Sequence, residues 1–370
     1  AGKLFATLFG LPYPWMMLLG ALFVLTYVVI GGFLAETVSD LIQAVVMIAA
    51  LGVITLSGIH AAGGLTRVME NIRHIPGFFE FFGIARPLVR DGLQATGAAA
   101  EPLFGGAGTY GPLMILSTLS WGLGYFGMPH VLIRFMAIRN PADLDKSRRI
   151  AVSWCLLSLG AAVTIGLTGR ALYPALFLTR SGAESIFIAL SRSLLPPLLA
   201  GMVMSGILAA TISSSDSYLL IATSAFAKNI YQRVLRREAS DREVMLVSRA
   251  SILAITLIGV LIALDEKSII FNIVSFAWAG FGATFGPVML FSLFWKRTTR
   301  NGALAGMIAG GAMVFIWKLL VRPAGGLFAI YELLPAFLTA CIVIVVVSLL
   351  SQVAVPEIGE EFDRAQRKEE

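Results

Sequence analysis

The 370-residue chain is 57% hydrophobic and 14% charged, with a mean hydropathy of +0.84. A soluble fold of this length carries about 25% charged residues and needs a polar surface, so the composition excludes a soluble enzyme, a nucleic-acid-binding module and a disordered chain. In an apolar chain the net charge of +6 is read as loop charge beside a lipid bilayer and not as a mark of nucleic acid.

A bilayer-crossing helix needs about 20 mostly apolar residues. Nine stretches qualify: 15–33, 38–61, 113–138, 150–172, 198–227, 246–264, 269–294, 303–320 and 330–350. They are continuous, whereas a membrane β-barrel would alternate over about 10 residues. Of the 28 Lys and Arg residues, 17 fall in the loops after the third, fifth and seventh spans and in the tail. By the positive-inside rule that side is cytoplasmic, which places the C-terminus inside and the start of the chain outside. The expected class is an all-α, multi-pass protein of the cell inner (plasma) membrane.

In chain order, the first polar group inside the apolar pattern is Glu36-Thr37-Val38-Ser39-Asp40. Two readings compete for Asp40. It is a carboxylate at a helix start, capped by Thr37 or Ser39, or it belongs to an ion pathway. Residues 62–112 form a long extracytoplasmic loop with a literal G-x-G-x-x-G at 106–111. A loop precedes that motif and an apolar span follows, so it lacks the strand and helix of a dinucleotide site. In the third span, Trp121-Gly122-Leu123-Gly124-Tyr125-Phe126-Gly127-Met128-Pro129-His130 packs three glycines and a proline into mid-membrane. This predicts a broken helix, the device by which transporters turn freed backbone groups toward a solute. Trp121 and Tyr125, four apart, are expected on one side of it as pocket walls. His130 reads as a structural histidine or a proton relay.

Cys155 and Cys341 lie in apolar runs and read as two small buried hydrophobes. Residues 181–195 suggest a short surface helix with Ser181 as N-cap and Glu184 at the third position. The fifth span holds Ala209-Ala210-Thr211-Ile212-Ser213-Ser214-Ser215-Asp216-Ser217. On a helix Ala210, Ser213, Ser214 and Ser217 share a face. Such hydroxyls either bond back to carbonyls one turn earlier or, with neighbouring carbonyls, present hard oxygens to a dehydrated ion. Gly280 to Pro287 and Gly302 to Gly306 are spaced for close helix packing. No catalytic motif or metal-ligand cluster is present, so no cofactor and no enzyme activity are expected.

The stretches 27–43 (YVVIGGFLAETVSDLIQ), 121–136 (WGLGYFGMPHVLIRFM), 206–217 (GILAATISSSDS) and 275–307 (SFAWAGFGATFGPVMLFSLFWKRTTRNGALAGM) resemble the sodium/solute symporter family, in its proline-transporting branch. The resemblance implies a leucine-transporter-like fold of two inverted five-helix repeats within thirteen spans. The nine spans here match the last nine, so the fold is expected to be incomplete. Residues 1–61 hold the last two helices of repeat one, 113–295 repeat two, 296–352 two peripheral helices and 353–370 a cytoplasmic tail. The chain begins Ala1-Gly2 without Met, consistent with a missing start.

The resemblance further implies sodium-coupled symport of a small solute, proline first, by alternating access, with sodium as coupling ion and the bilayer as environment. Ala210 (through its carbonyl), Ser213 and Ser214 match sodium ligands, and Asp40, Asp216 and Ser217 an ion pathway. Trp121, Tyr125, Met128 and Pro129 match solute-binding positions. Alanine at 210 removes a hydroxyl that some relatives use for a second sodium. The rival readings are another solute (an amino acid, a carboxylate or a vitamin) and a transporter-like sensor fused to a kinase. Only about 20 residues follow the last span, which disfavours the sensor.

Overall fold

A computed structural model describes residues 2–80, 83–91, 93–98, 101–264, 270–351 and 356–366. In chain order its helices are α1 (Gly2–Phe9), α2 (Tyr13–Ala61), α3 (Leu65–Arg73), α4 (Pro112–Leu119), a 3₁₀ segment (Ser120–Gly127), α5 (Pro129–Met136), α6 (Asp143–Leu172), α7 (Arg180–Ala183), α8 (Ile186–Leu194) and α9 (Pro197–Ser224). A π-helical extension of α9 (Ala225–Leu235) follows, then α10 (Asp241–Ile262), α11 (Ile270–Phe294), α12 (Arg300–Ile316), α13 (Leu333–Leu350) and α14 (Pro356–Gln366). Among the described residues, seven helical stretches are long and apolar enough to cross a bilayer. The two other expected spans take different forms. The first is merged into α2, and the third is divided among α4, the 3₁₀ segment and α5.

The chain forms two compact units, one of residues 1–108 and 142–268, the other of residues 109–141 and 269–370. In the first unit α2 is one helix of 49 residues, about 73 Å long at 1.5 Å per residue, where two spans are expected. After Pro14 it contains no proline, so hydrogen bonding continues through the polar stretch 36–40. A helix start at Asp40 therefore does not exist, and the capping reading of that carboxylate is withdrawn. The core of this unit gathers Ala50 and Ile54 of α2, Ile165 of α6, Leu190 of α8 and Val203 of α9. A Cβ at Gly206 would press on Ala50, so α2 and α9 meet at backbone distance there.

The long loop is more structured than expected. Helix α3 buries Val68 and Ile72, one turn apart, and Val89–Arg90 pairs antiparallel with Leu93–Gln94. Arg170 at the end of α6 ties this segment down. Its guanidinium donates to Gln94 Oε1 at 2.6 Å and to the Pro174 carbonyl, and lies 6.0 Å from the centre of the Phe104 ring. Arg170→Ala is expected to free the loop, and limited proteolysis between residues 83 and 108 should then proceed several-fold faster than in the parent.

Two further expectations are corrected in this unit. The surface helix is divided into α7 and α8, and the residue that caps α7 is Thr179, which accepts from the Gly182 N–H at 3.0 Å. Ser181 therefore is not the cap, and Glu184 instead pairs with Lys3 at 2.6 Å. Cys155 is exposed, not buried, because it lies on an outward apolar side of α6.

The second unit is a stack of α11, α12 and α13. Its core contains Ala279, Ala283, Val314, Leu333, Ala336 and Phe337. The small-residue spacing works as the sequence suggests. Cβ atoms at Gly302, Gly306 and Gly310 would collide with Ser348, Ile344 and the Ala283 carbonyl respectively. Pro287 sits inside α11, fully buried.

Candidate functional site

The glycine-rich centre of the third span is folded as the 3₁₀ segment, and Met128 breaks the helix with φ −74° and ψ 113°. Pro129 then starts α5, where its missing N–H costs nothing. The glycines let this segment lie close on α11, Gly124 against the Trp278 indole and Gly127 against the helix backbone. A Cβ at Gly127 would strike the Phe281 carbonyl and the Gly286 nitrogen, and one at Gly282 would strike Gly124.

A 3₁₀ helix has three residues per turn, so Trp121 and Tyr125 are about 120° apart around its axis, against about 40° on an α-helix. The two rings are thus not stacked in one row, as α-helical spacing would have them. Trp278 of α11 joins them instead. Trp121 stacks on Trp278 at 5.4 Å, and Tyr125 meets the same indole edge-on at 4.7 Å. The Trp278 Nε1–H donates to the Trp121 carbonyl at 2.9 Å, satisfying a backbone group that the broken helix leaves open. Phe271 and Tyr331 stack on Trp121 at 5.2 and 5.9 Å. The Tyr331 N–H is in turn held by Ser117 Oγ at 3.0 Å. Tyr125 is 48% exposed, whereas Met128 is only 2% exposed. Met128 thus fills the packing under the break, and Tyr125 presents an open face. Trp278, Phe271 and Tyr331 are absent from the sequence-derived site. Trp278 lies within the 275–307 stretch and Phe271 just before it, whereas Tyr331 lies far beyond it with no local signal.

In the first unit, α9 sorts its hydroxyls. Thr211 donates to the Ile207 carbonyl at 2.8 Å and Ser215 to the Thr211 carbonyl at 2.7 Å. These two are the back-bonded type. Among the described residues no such bond is found for the hydroxyls of Ser213 and Ser214. Ser213 is half-buried, and Ala210 and Ser214 are exposed on their side of α9. Asp216 and Ser217 are 3% and 6% exposed, and Asp216 Oδ1 accepts from the Ser217 N–H at 2.8 Å. Asp40 of α2 is buried at 8% in the middle of its helix. Among the described residues no group of three or more His, Cys, Asp and Glu side chains is arranged for a metal. An alkali-ion site built of hydroxyls and main-chain carbonyls needs no such group.

An all-helical membrane protein with a span broken at its centre and packed by glycines onto a neighbour has the architecture of a secondary transporter. The chain belongs to the sodium:solute symporter family, whose model matches residues 1–310. Members are transporters and not enzymes, and sodium is their coupling ion. The chain is 36% identical over 363 residues to the high-affinity proline transporter PutP of Bacillus subtilis, covering 98% of this chain and 71% of that protein. It is 38% identical to a sodium/proline symporter of Haemophilus influenzae, covering 99% of this chain and 69% of that one. A solved sodium-coupled sialic acid symporter, in a substrate-bound outward-open state, aligns with a TM-score of 0.67 and 17% identity, over 94% of this chain and 68% of that one. It shares the leucine-transporter-like fold.

Proposed function

We propose that this chain carries out sodium-driven uptake of proline across the plasma membrane by alternating access, with its C-terminus in the cytoplasm. The observation that carries the solute is the 36–38% identity to proteins named as proline transporters over nearly the whole chain. Three features support the mechanism. The broken segment that ends at Met128 carries Trp121 and Tyr125, whose rings suit a compact apolar ring such as that of proline, with the Tyr125 hydroxyl as a polar handle. The uncommitted hydroxyls of Ser213 and Ser214 and the Ala210 carbonyl are hard oxygens that replace part of the hydration of sodium. Asp40, Asp216 and Ser217 supply buried carboxyl and hydroxyl oxygens for the ion's route.

Coupling follows from thermodynamics. If sodium on α9 and solute on the broken span stabilise the same conformation, each raises the affinity of the other by the same factor. Release on the far side then needs both to leave. The test is uptake of labelled proline by cells lacking their own proline carriers, with and without a sodium gradient, against a panel of unlabelled amino acids, carboxylates and vitamins. Sodium-dependent uptake that proline competes most strongly supports the reading. Sodium-dependent uptake competed by another solute and not by proline would overturn the substrate assignment, and uptake indifferent to sodium would overturn the coupling.

A further inference from the structure

Helices α11 and α12 leave between them an open apolar groove of ≈ 300 Å³, bounded by Phe276, Gly280, Phe281 and Phe285 on one side and by Gly311 and Phe315 on the other. Glycines at 280 and 311 make its floor, and Phe281, Phe285 and Phe315 stand 40%, 36% and 55% exposed along its walls. From Phe276 to Phe285 the groove runs about 14 Å at 1.5 Å per residue. That is close to half of the ~30 Å hydrocarbon core, the depth of one leaflet.

One end of the groove is charged. Lys318, one turn beyond Phe315, holds its Nζ 4.1 Å from the centre of the Phe276 ring. Arg322 follows one turn later. Both face Glu332, whose carboxylate is fully buried: Arg322 pairs with it at 2.6 Å and Lys318 at 3.4 Å. The carboxylate lies behind and the cations lie in front, 31% and 42% exposed. Two cations over one anion leave a net positive charge facing outward. At the same level the Trp317 indole donates to the Ile330 carbonyl at 3.2 Å and meets Phe328 edge-on. Such aromatic residues mark the headgroup zone of a bilayer, where a lysine lays its stem on apolar surface and keeps its charge at the interface.

We propose that the groove is a binding site for one anionic phospholipid. An acyl chain lies between α11 and α12 down to Phe285, and the phosphate is held by Lys318 and Arg322. The loose Lys318–Glu332 contact leaves ammonium donors for the phosphate, and Glu332 fixes both cations in place without cancelling them. A zwitterionic lipid fills the groove equally well but brings a second positive charge to the same spot, so a net negative headgroup is preferred.

Native mass spectrometry of the purified protein in detergent, titrated with phosphatidylglycerol or phosphatidylcholine of equal chain length, reads this directly. The expected result is one retained phosphatidylglycerol, bound at a concentration at least tenfold below that for phosphatidylcholine. Lys318→Gln together with Arg322→Gln should erase the preference between the two lipids. Gly280→Leu should lower occupancy by both at least tenfold, because a side chain there meets no atom within 4 Å of its Cβ and enters the groove. This variant leaves the Lys318–Glu332–Arg322 cluster intact, so it stays informative if the charge variant misfolds. Each variant's melting temperature in lipid-free detergent reports folding separately. Equal binding of the two lipids by the parent protein, or phosphatidylglycerol retention unaltered in folded Gly280→Leu, would overturn the proposal.

Discussion

Ser214→Ala is expected to raise the sodium concentration for half-maximal proline uptake by tenfold or more, while Ser215→Ala leaves it within about twofold. The two serines are neighbours, equal in size and chemistry, and differ in where the hydroxyl is spent. Ser215 donates to the Thr211 carbonyl at 2.7 Å, so its oxygen is committed within α9. Ser214 lies on the exposed side of the helix, and among the described residues its hydroxyl is not committed in this way. A polar contact to a charged group contributes about 1.5–3 kcal/mol, and 1.4 kcal/mol is a factor of ten in affinity. Sodium-dependence curves of labelled proline uptake for the two variants decide the matter. If both variants shift equally, or Ser215→Ala shifts more, Ser214 is not a ligand.

Trp121→Ala is expected to weaken proline affinity by tenfold or more while moving the sodium dependence by less than threefold. The side chain does two things, and the variant removes both. In the proposed reading it contacts solute, and in the structure it fills the space between Phe271, Trp278 and Tyr331. Truncating a packed tryptophan costs about 3–5 kcal/mol of stability, so a general loss of folded protein would depress every constant together. Trp121→Phe keeps an aromatic face in the stack and separates the effects. It should restore melting temperature nearly to that of the parent while retaining part of the affinity defect. Equal weakening of solute and sodium binding in both variants, with normal amounts of folded protein, would remove Trp121 from the solute site.

Much of the architecture was legible because it depends on local pattern. Apolar runs of about 20 residues mark spans whatever they pack against. Three glycines and a proline within eight residues break a helix wherever it is placed, and Gly302, Gly306 and Gly310 repeat at the four-residue interval that lines one helix face. The features that escaped depend on distant partners or on the geometry of the break. Trp278 is 157 residues from the carbonyl it satisfies, and no periodicity links them. α-Helical spacing sets Trp121 and Tyr125 on one side, and the tighter 3₁₀ winding rotates one away from the other. Among the described residues, Thr211 and Ser215 back-bond and Ser213 and Ser214 do not, a choice of rotamer that three consecutive serines conceal. The continuity of α2 is not legible from hydropathy, because Glu36 and Asp40 interrupt the apolar pattern without interrupting backbone hydrogen bonding. At α7 the cap is a threonine two residues before the expected serine, within the usual uncertainty of helix ends.

The glycine contact between the 3₁₀ segment and α11 constrains how this part of the protein moves. Gly127 meets the backbone of Gly282 and Gly286, and Gly282 meets that of Gly124, and glycine has no side-chain torsions to freeze or release. A seam of leucines or methionines yields by exchanging rotamers and so absorbs displacement. Where glycine meets glycine there is no rotamer to exchange, so a displacement there moves backbone against backbone. The broken segment and α11 therefore behave as one lever. A displacement of the broken segment is expected to carry α11 with it.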